Sequence, residues 1–154
     1  MSHVAEVAVT ITDLDALEEA CAQLGLELIR GQTTFEWYGK FMNDYNDPQR
    51  AAAVRGYDPA KFGQCEHAIR RKGCAPGDYE IGLVRRNDGK PGYAVLFDSY
   101  GTGRLLERAA GADLTGLRDH YTAAVSRRLL ARKGYRTHLQ RTPQGELQVV
   151  ATRG

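Results

Sequence analysis

The chain of 154 residues is 42% hydrophobic and 26% charged, with a formal net charge of +2 at neutral pH. These values are typical of a single globular domain with its own core, and they exclude fibrous and intrinsically disordered classes. No apolar run approaches the roughly 18 residues that a membrane helix needs, and the first residues lack the basic and apolar regions of a leader, so we expect a cytoplasmic protein. Three cysteines are an odd number, which favours reduced thiols over a disulfide framework.

The first thirty residues predict a strand, a helix and a second strand. Apolar residues alternate over Val4–Ile11, and Thr12 or Asp13 is a suitable N-cap for the helix that follows. The helix carries apolar residues at three- and four-residue steps, among them Cys21, which we interpret as a small core residue. Gly25 suits the left-handed residue that ends a helix, and Leu26–Arg30 then predicts a short strand.

Residues 31–62 hold more than half of the aromatic side chains but no sustained periodicity. Pro48–Arg55 is a candidate for a short helix inside this segment, because a proline fits the first helical turn. Such a segment is either an insertion that packs back on the sheet or a recognition surface that stacks its aromatic rings. We favour packing, and we single out Trp37 and Tyr38 as candidates for an exposed aromatic surface.

A β-hairpin is predicted at the centre of the chain. The runs Tyr79–Arg86 and Tyr93–Asp98 are rich in β-branched and aromatic residues, and the connection between them contains Gly89 and Gly92. Glu80 and Asp98, one on each predicted strand, are candidates for acid–base chemistry or metal binding. Acids on strands more often face solvent or bond to neighbouring backbone, and we favour that interpretation.

The last third predicts a short helix that ends near Gly111, a long helix capped by Asp113 and ended by Gly134, and a final hairpin. The hairpin strands are Tyr135–Arg141 and Glu146–Thr152. The order is therefore strand, helix, strand, insertion, hairpin, helix, hairpin. We predict an α+β fold in one domain over 1–154, in which an antiparallel or mixed sheet carries two amphipathic helices on one face and 31–62 is an aromatic insertion.

Cys65, His67 and Cys74 are the residues most suited to metal or thiol chemistry. Thiolate and imidazole are zinc ligands, but a structural site needs a fourth ligand, and paired C-x2-C knuckles are missing from the sequence. Cys65 is also a candidate nucleophile with His67 as its base, because residues two apart on a strand share a face. A buried cysteine beside a hydrogen-bonded histidine is the interpretation that we favour, so we expect no catalytic residues and no cofactor.

Basic residues cluster at the end of the long helix. Between His120 and Gly145 the chain has no acid. The candidate binding residues for nucleic acid or an acidic partner are Arg127, Arg128, Arg132, Lys133 and Arg136. A solvated helix face is the alternative, and basic residues at a helix C-terminus also complement its dipole.

Several short motifs in order along nearly the whole chain resemble one family. They are Ile11-Thr12-Asp13-Leu14, Lys61-Phe62-Gly63-Gln64-Cys65-Glu66-His67-Ala68-Ile69, Tyr79-Glu80-Ile81-Gly82, Phe97-Asp98-Ser99-Tyr100-Gly101, Tyr121 and Lys133-Gly134-Tyr135. Together they resemble domain of unknown function 1257, which includes a reading frame of plastid and cyanobacterial genomes and many phage and bacterial proteins. Trp37-Tyr38-Gly39 resembles the phage and bacterial branch. The resemblance implies no established activity, a nearby AAA-type ATPase as a partner and, for a phage gene, a location in the host cytoplasm.

These observations predict a non-enzymatic accessory or adaptor protein that acts through protein–protein contacts. One alternative is a nucleic-acid-binding module that uses the basic C-terminal helix. The other is a zinc-dependent or thiol enzyme centred on Cys65, His67 and Cys74.

Overall fold

The computed structural model describes residues 4–37, 63–86 and 88–153. Their elements, in chain order, are β1 (Val4–Ile11), α1 (Leu14–Gln23), β2 (Leu26–Arg30), β3 (His67–Arg71), β4 (Ile81–Arg85), β5 (Tyr93–Asp98), α2 (Gly103–Ala110), α3 (Thr115–Arg132), β6 (Tyr135–Arg141) and β7 (Leu147–Arg153). None of the helices described is long and apolar enough to cross a membrane.

Five strands form one antiparallel sheet in the order β1-β5-β4-β3-β2. The predicted central hairpin is β4 and β5, which pair in the register Ile81↔Phe97. β1 and β2 are the two edges of the sheet, and α1 connects them. The α+β class and the antiparallel sheet are therefore confirmed.

One face of the sheet, which we call the helix-side face, carries Ile69, Ile81 and Phe97 and packs in a core with residues of all three helices. Leu17 of α1 and Leu117 of α3 are fully buried in this core. Asp13 begins α1 as predicted, because its side chain accepts a hydrogen bond from the amide of Ala16 at 3.1 Å. Gly25 follows α1 with φ +71°, the left-handed conformation that the sequence predicted.

The opposite face carries Ala68 and Leu96, and we call it the aromatic face because Phe35 packs on it. A Cβ atom at Gly82 would lie 2.3 Å from the Phe35 ring, so this glycine makes room for the ring. Trp37 packs against the same cluster and is partly buried. Phe35 and Trp37 thus pack on the sheet. Tyr38 and the rest of the predicted insertion, with its helix at 48–55, lie outside the described residues, so the prediction for the segment as a whole stays a prediction.

The connection from α2 to α3 differs from the prediction that Asp113 caps the long helix. Asp113 and Leu114 form a 3-10 turn with Ala112 and adopt left-handed conformations, with φ 53° and 58°. Leu114 immediately precedes α3, and no side chain caps this helix. Leu114 is completely buried, so its packing offsets the steric cost of a left-handed residue with a branched side chain.

β3 is the strand that the predicted order lacks. Its sequence, His67-Ala68-Ile69-Arg70-Arg71, has only two apolar residues and ends in charged ones, so it shows little of the pattern that marks a buried strand. The final hairpin is confirmed, with its second strand one residue later than predicted. It does not join the five-stranded sheet, because β6 and β7 form a separate two-stranded sheet against α3.

Tyr121 joins α3 to the turn between β1 and α1. Its hydroxyl oxygen accepts hydrogen bonds from the amides of Thr12, at 2.9 Å, and Asp13, at 3.1 Å. We expect Tyr121→Phe to lower the free energy of unfolding by about 1–2 kcal/mol, because both amides lose their acceptor. Urea unfolding followed by circular dichroism measures this change.

The control is Tyr135→Phe, because the Tyr135 hydroxyl makes no hydrogen bond within the described part of the chain. Its cost should stay within about 0.5 kcal/mol. Equal costs for the two variants would contradict a specific role for the Tyr121 hydroxyl.

Candidate functional site

His67 lies at the start of β3 with both ring nitrogens engaged. Nδ1 accepts a hydrogen bond from the amide of Gly31 at 2.9 Å, and Nε2 lies 3.3 Å from the Tyr93 hydroxyl. The two rings meet edge to face, with centroids 5.1 Å apart. Because Nδ1 accepts, the neutral ring carries its proton on Nε2, which donates to Tyr93. This arrangement fixes the ring rather than leaving it ready to act as a base.

Cys65 lies just before β3 and packs on the aromatic face. Its thiol donates a hydrogen bond to the carbonyl oxygen of Gln32 at 3.2 Å. Burial, followed by the negative charges of Glu80 and Glu66, raises the pKa of the Cys65 thiol from 9.0 to about 12. The thiolate is the nucleophile and the metal ligand, so both uses of Cys65 are disfavoured near neutral pH.

Cys65 and His67 do not share a face, contrary to the alternation from which a Cys–His pair was inferred. β3 begins at His67, so alternation places His67 with Ile69 on the helix-side face, whereas Cys65 packs on the aromatic face. Cys74 follows the other end of β3, so a strand of five residues, roughly 16 Å long, separates it from Cys65. Among the described residues, no three His, Cys, Asp or Glu side chains are grouped as a metal site.

Glu80 and Asp98 are both buried. Glu80 immediately precedes β4, and Asp98 is the last residue of β5. Glu80 accepts hydrogen bonds from the Gln32 side chain at 2.9 Å and from the amide of Glu36 at 3.0 Å. Asp98 accepts from the amide of Tyr100 at 3.0 Å. Both acids thus bond to nearby backbone, and Glu80 fastens the segment after β2 to the sheet.

Two of the five predicted binding residues are engaged with the acidic helix α1. Arg127 lies 2.9 Å from Glu19. Arg128 lies 3.7 Å from Asp13 and 3.6 Å from Asp15. The charge asymmetry between the two ends of the chain is therefore partly neutralised inside the fold, where α3 packs against α1.

The other three predicted binding residues, Arg132, Lys133 and Arg136, are exposed where α3 ends and β6 begins. Within the described ranges they form no ion pair, and the same holds for Arg141 and Arg153 of the hairpin. Arg153 lies over the Tyr135 ring, 5.4 Å from its centroid. Residues 132–153 contain these five cations and a single acid, so the end of α3 and the hairpin form one basic surface.

A groove of about 680 Å³ lies beside β7. One wall is the consecutive run from Gln144 to Val149, and the other is a strip of small side chains on α3 that includes Thr122, Ala123 and Ser126. No sequence pattern predicted this groove. Its only sequence signals are the spacing of Thr122 and Ser126 and the alternation of Leu147 with Val149, and both are also typical of ordinary packing.

Two histidines are predicted to make the stability of the fold sensitive to acid. Burial lowers the pKa of His67, with Arg30 and Arg85 acting in the same direction and Glu66 opposing them. Burial and Arg141 lower the pKa of His120, and Asp119 opposes them. Between the usual histidine value of 6.5 and these lowered values, the unfolded chain binds more protons than the folded chain. We therefore expect stability to be full above pH 6.5 and to fall as the pH is lowered below it.

His67→Asn is the test of this pH dependence, because its side-chain oxygen can replace Nδ1 as the acceptor for Gly31 and does not titrate. Urea unfolding at pH 7.5 and pH 5.5 should show a smaller loss of stability for the variant. Asp15 and Asp88 also have lowered pKa values, but their effect on stability begins only below the usual carboxyl value of 3.8. They therefore do not contribute to the difference between pH 7.5 and pH 5.5. An unchanged loss in the variant would contradict the assignment to His67.

In comparisons with known proteins, no family model matches the chain, and neither a curated protein nor a solved structure matches it. The resemblance to domain of unknown function 1257 thus stays a prediction that rests on the motifs quoted above.

Proposed function

We propose that the protein is a non-enzymatic accessory or adaptor protein that binds a partner protein through its C-terminal basic surface. The observation that carries this proposal is the arrangement of α3, β6 and β7. Two arginines hold α3 on α1, and the remaining cations, Arg132, Lys133 and Arg136, stay exposed at the end of α3 and the start of β6. A positively charged surface favours an acidic partner, because it speeds association with that partner and discriminates against basic ones.

The cysteine–histidine pair supports the non-enzymatic part of the proposal. Cys65 is a protonated donor to backbone, and His67 is held by Gly31 and Tyr93 on the other face of the sheet. A thiol enzyme needs the nucleophile and its base within hydrogen-bond reach, which is not the geometry here. The resemblance to domain of unknown function 1257 suggests an AAA-type ATPase as the partner protein.

The experiment is co-purification from the cell that encodes the chain, with proteins quantified by mass spectrometry. The test variant combines Arg132→Glu, Lys133→Glu and Arg136→Glu. The matched control combines Lys72→Glu, Lys90→Glu and Arg104→Glu, which are also exposed and cause the same change in net charge. We expect a partner that the control retains and that the test variant loses at least about tenfold, since three rim charges together contribute a kcal/mol or more. Equal recovery with both variants would refute the basic surface as the contact.

Nucleic acid is the second candidate for the same surface, because β6 and β7 form a two-stranded ribbon that carries exposed cations. It predicts that a single-stranded oligonucleotide binds with an affinity that falls linearly with the logarithm of salt concentration. The slope should become smaller by about 0.7 for each phosphate contact that the charge-reversed variant loses. Absent or salt-independent binding would remove this candidate.

A further inference from the structure

Among the described residues, no strand pairs with the outer edge of β7, which lies beside the groove. The amide of Thr142 donates to the carbonyl oxygen of Glu146 at 2.9 Å, which makes 142 and 146 a hydrogen-bonded pair of the hairpin. Hydrogen-bonded and non-bonded pairs alternate along an antiparallel ladder. In the register of β6 with β7, the residues opposite each other at 140 and 148 are therefore bonded, and Leu139 and Val149 are not. The N–H and C=O of Leu147 and Val149 thus point away from β6.

The free edge of β7 is long enough for an added strand. Leu147, Gln148 and Val149 line the groove, and β7 continues from them to Arg153, so the edge is seven residues or roughly 23 Å long. The facing side chains of α3 are small, so a backbone can approach β7 without a large side chain in its way. Within the described residues, β6 is the only strand that pairs with β7. An edge strand beside a helix is the setting in which extended peptides add to a sheet.

The charges around β7 specify the chemistry of the occupant. A strand that leaves the groove along β7 runs toward Arg153, which lies opposite Tyr135 near the end of α3. Arg132 and Lys133 lie at that end of α3, and none of these three cations forms an ion pair within the described ranges. At the other end of the groove, Arg141 donates to the carbonyl oxygen of Gly145, and the acids Asp119 and Glu146 are close by. Acidic residues in the occupant therefore fit the Arg153 end.

We propose that the β7–α3 groove binds an extended segment of a partner protein as a third strand beside β7, with acidic residues of that segment at the Arg153 end. This inference rests on the proposed function and adds the form of the ligand. Main-chain hydrogen bonds to Leu147 and Val149 supply affinity, and small or aliphatic side chains fit against Thr122, Ala123 and Ser126.

The probes are two fluorescein-labelled peptides, Glu-Glu-Thr-Val-Thr-Val-Thr and Thr-Val-Thr-Val-Thr-Glu-Glu, one for each strand direction, because acids at one end alone stay away from Asp119 and Glu146. We call the one that binds more tightly the acidic peptide. Fluorescence polarisation should show binding that a peptide with lysine in place of glutamate lacks. On adding the acidic peptide, the amides of Leu147 and Val149 should become protected from hydrogen exchange. A thymidine oligonucleotide of similar charge should not protect these amides.

Val149→Pro is the test variant, and Leu139→Pro is its matched control. The two residues lie opposite each other in the hairpin. Val149→Pro removes an amide on the outer edge of β7, and Leu139→Pro removes the equivalent amide on the outer edge of β6. We expect Val149→Pro to weaken binding of the acidic peptide at least about tenfold, which corresponds to the loss of about one or two hydrogen bonds. Leu139→Pro should change the binding less than about threefold. Equal binding by the two variants would overturn the proposal.

A second pair of variants leaves the strand intact in case a proline unfolds the hairpin. Ser126→Tyr fills the groove from α3, whereas Ala131→Tyr adds the same ring at an exposed position that does not line it. Loss of peptide binding only with Ser126→Tyr supports the proposal, and equal binding contradicts it.

The two proposals can fail separately. If charge reversal removes a cellular partner but Ser126→Tyr does not, the inference about the β7 edge fails while the proposed function stands. If the peptide binds as expected but charge reversal leaves every cellular partner bound, the proposed function fails instead.

Discussion

Replacement of Gly103 by alanine is expected to lower the free energy of unfolding by about 3 kcal/mol or more, at the upper end of single substitutions. A Cβ atom at this position would lie 1.8 Å from the carbonyl oxygen of Asp98. That oxygen belongs to the backbone at the end of β5, so it cannot rotate away as a side chain can. α2 would have to move off the sheet and would expose Leu106, which is fully buried.

Gly134→Ala is the control for Gly103→Ala. A methyl group added at Gly134 would meet no atom within 4 Å, and only the φ of +90° at this position disfavours alanine. Its cost should be about 1–2 kcal/mol, the penalty of a left-handed conformation. Urea unfolding of both variants separates the two causes. A smaller cost at Gly103 than at Gly134 would contradict the close approach of α2 to β5.

Phe35→Ala is the second large effect, with an expected loss of about 3 kcal/mol because the ring is buried on the aromatic face. Gly82→Ala alone should cost about 2 kcal/mol, since its new methyl group would displace the ring. In the Phe35→Ala background the same change at Gly82 should cost less than about 0.5 kcal/mol, because the space is then free. The double-mutant cycle therefore has a large coupling energy.

Unfolding of the four proteins in this cycle is measured in urea at one pH. Additive costs for the two substitutions would mean that the Phe35 ring does not lie over Gly82. The cycle thus tests directly whether the aromatic segment packs on the sheet, which is the choice that the sequence left open between a core and a recognition surface.

Local signals predicted much of the fold. Asp13 and Gly25 mark the ends of α1 because a cap and a left-handed glycine act within a few residues. β4 and β5 follow from their apolar runs. β3 was missed because its pairing with β2 and β4 comes from residues distant in sequence, and its own pattern is weak. The Asp113 cap was wrong because burial of Leu114 decides that turn, and burial is not a local property.

The candidate sites were less predictable than the fold. Sequence spacing suggested that Cys65 and His67 share a face, but a strand that begins at His67 separates them. Charge counting located the basic residues near the end of α3, yet it could not show that Arg127 and Arg128 pair with acids at the start of the chain, more than one hundred positions away. The groove beside β7 depends on the hairpin standing apart from the main sheet, and that arrangement follows from tertiary packing.

The most direct test of the proposed contact surface is site-specific photo-crosslinking in the cell that encodes the chain. A photoreactive amino acid replaces His138, which is exposed on the hairpin, or Ala22, which is exposed on α1. We expect a discrete protein adduct at position 138 that is missing at position 22 and is lost when Arg132, Lys133 and Arg136 are reversed in charge. A nucleic-acid adduct at 138, or the same protein adduct at both positions, would contradict it.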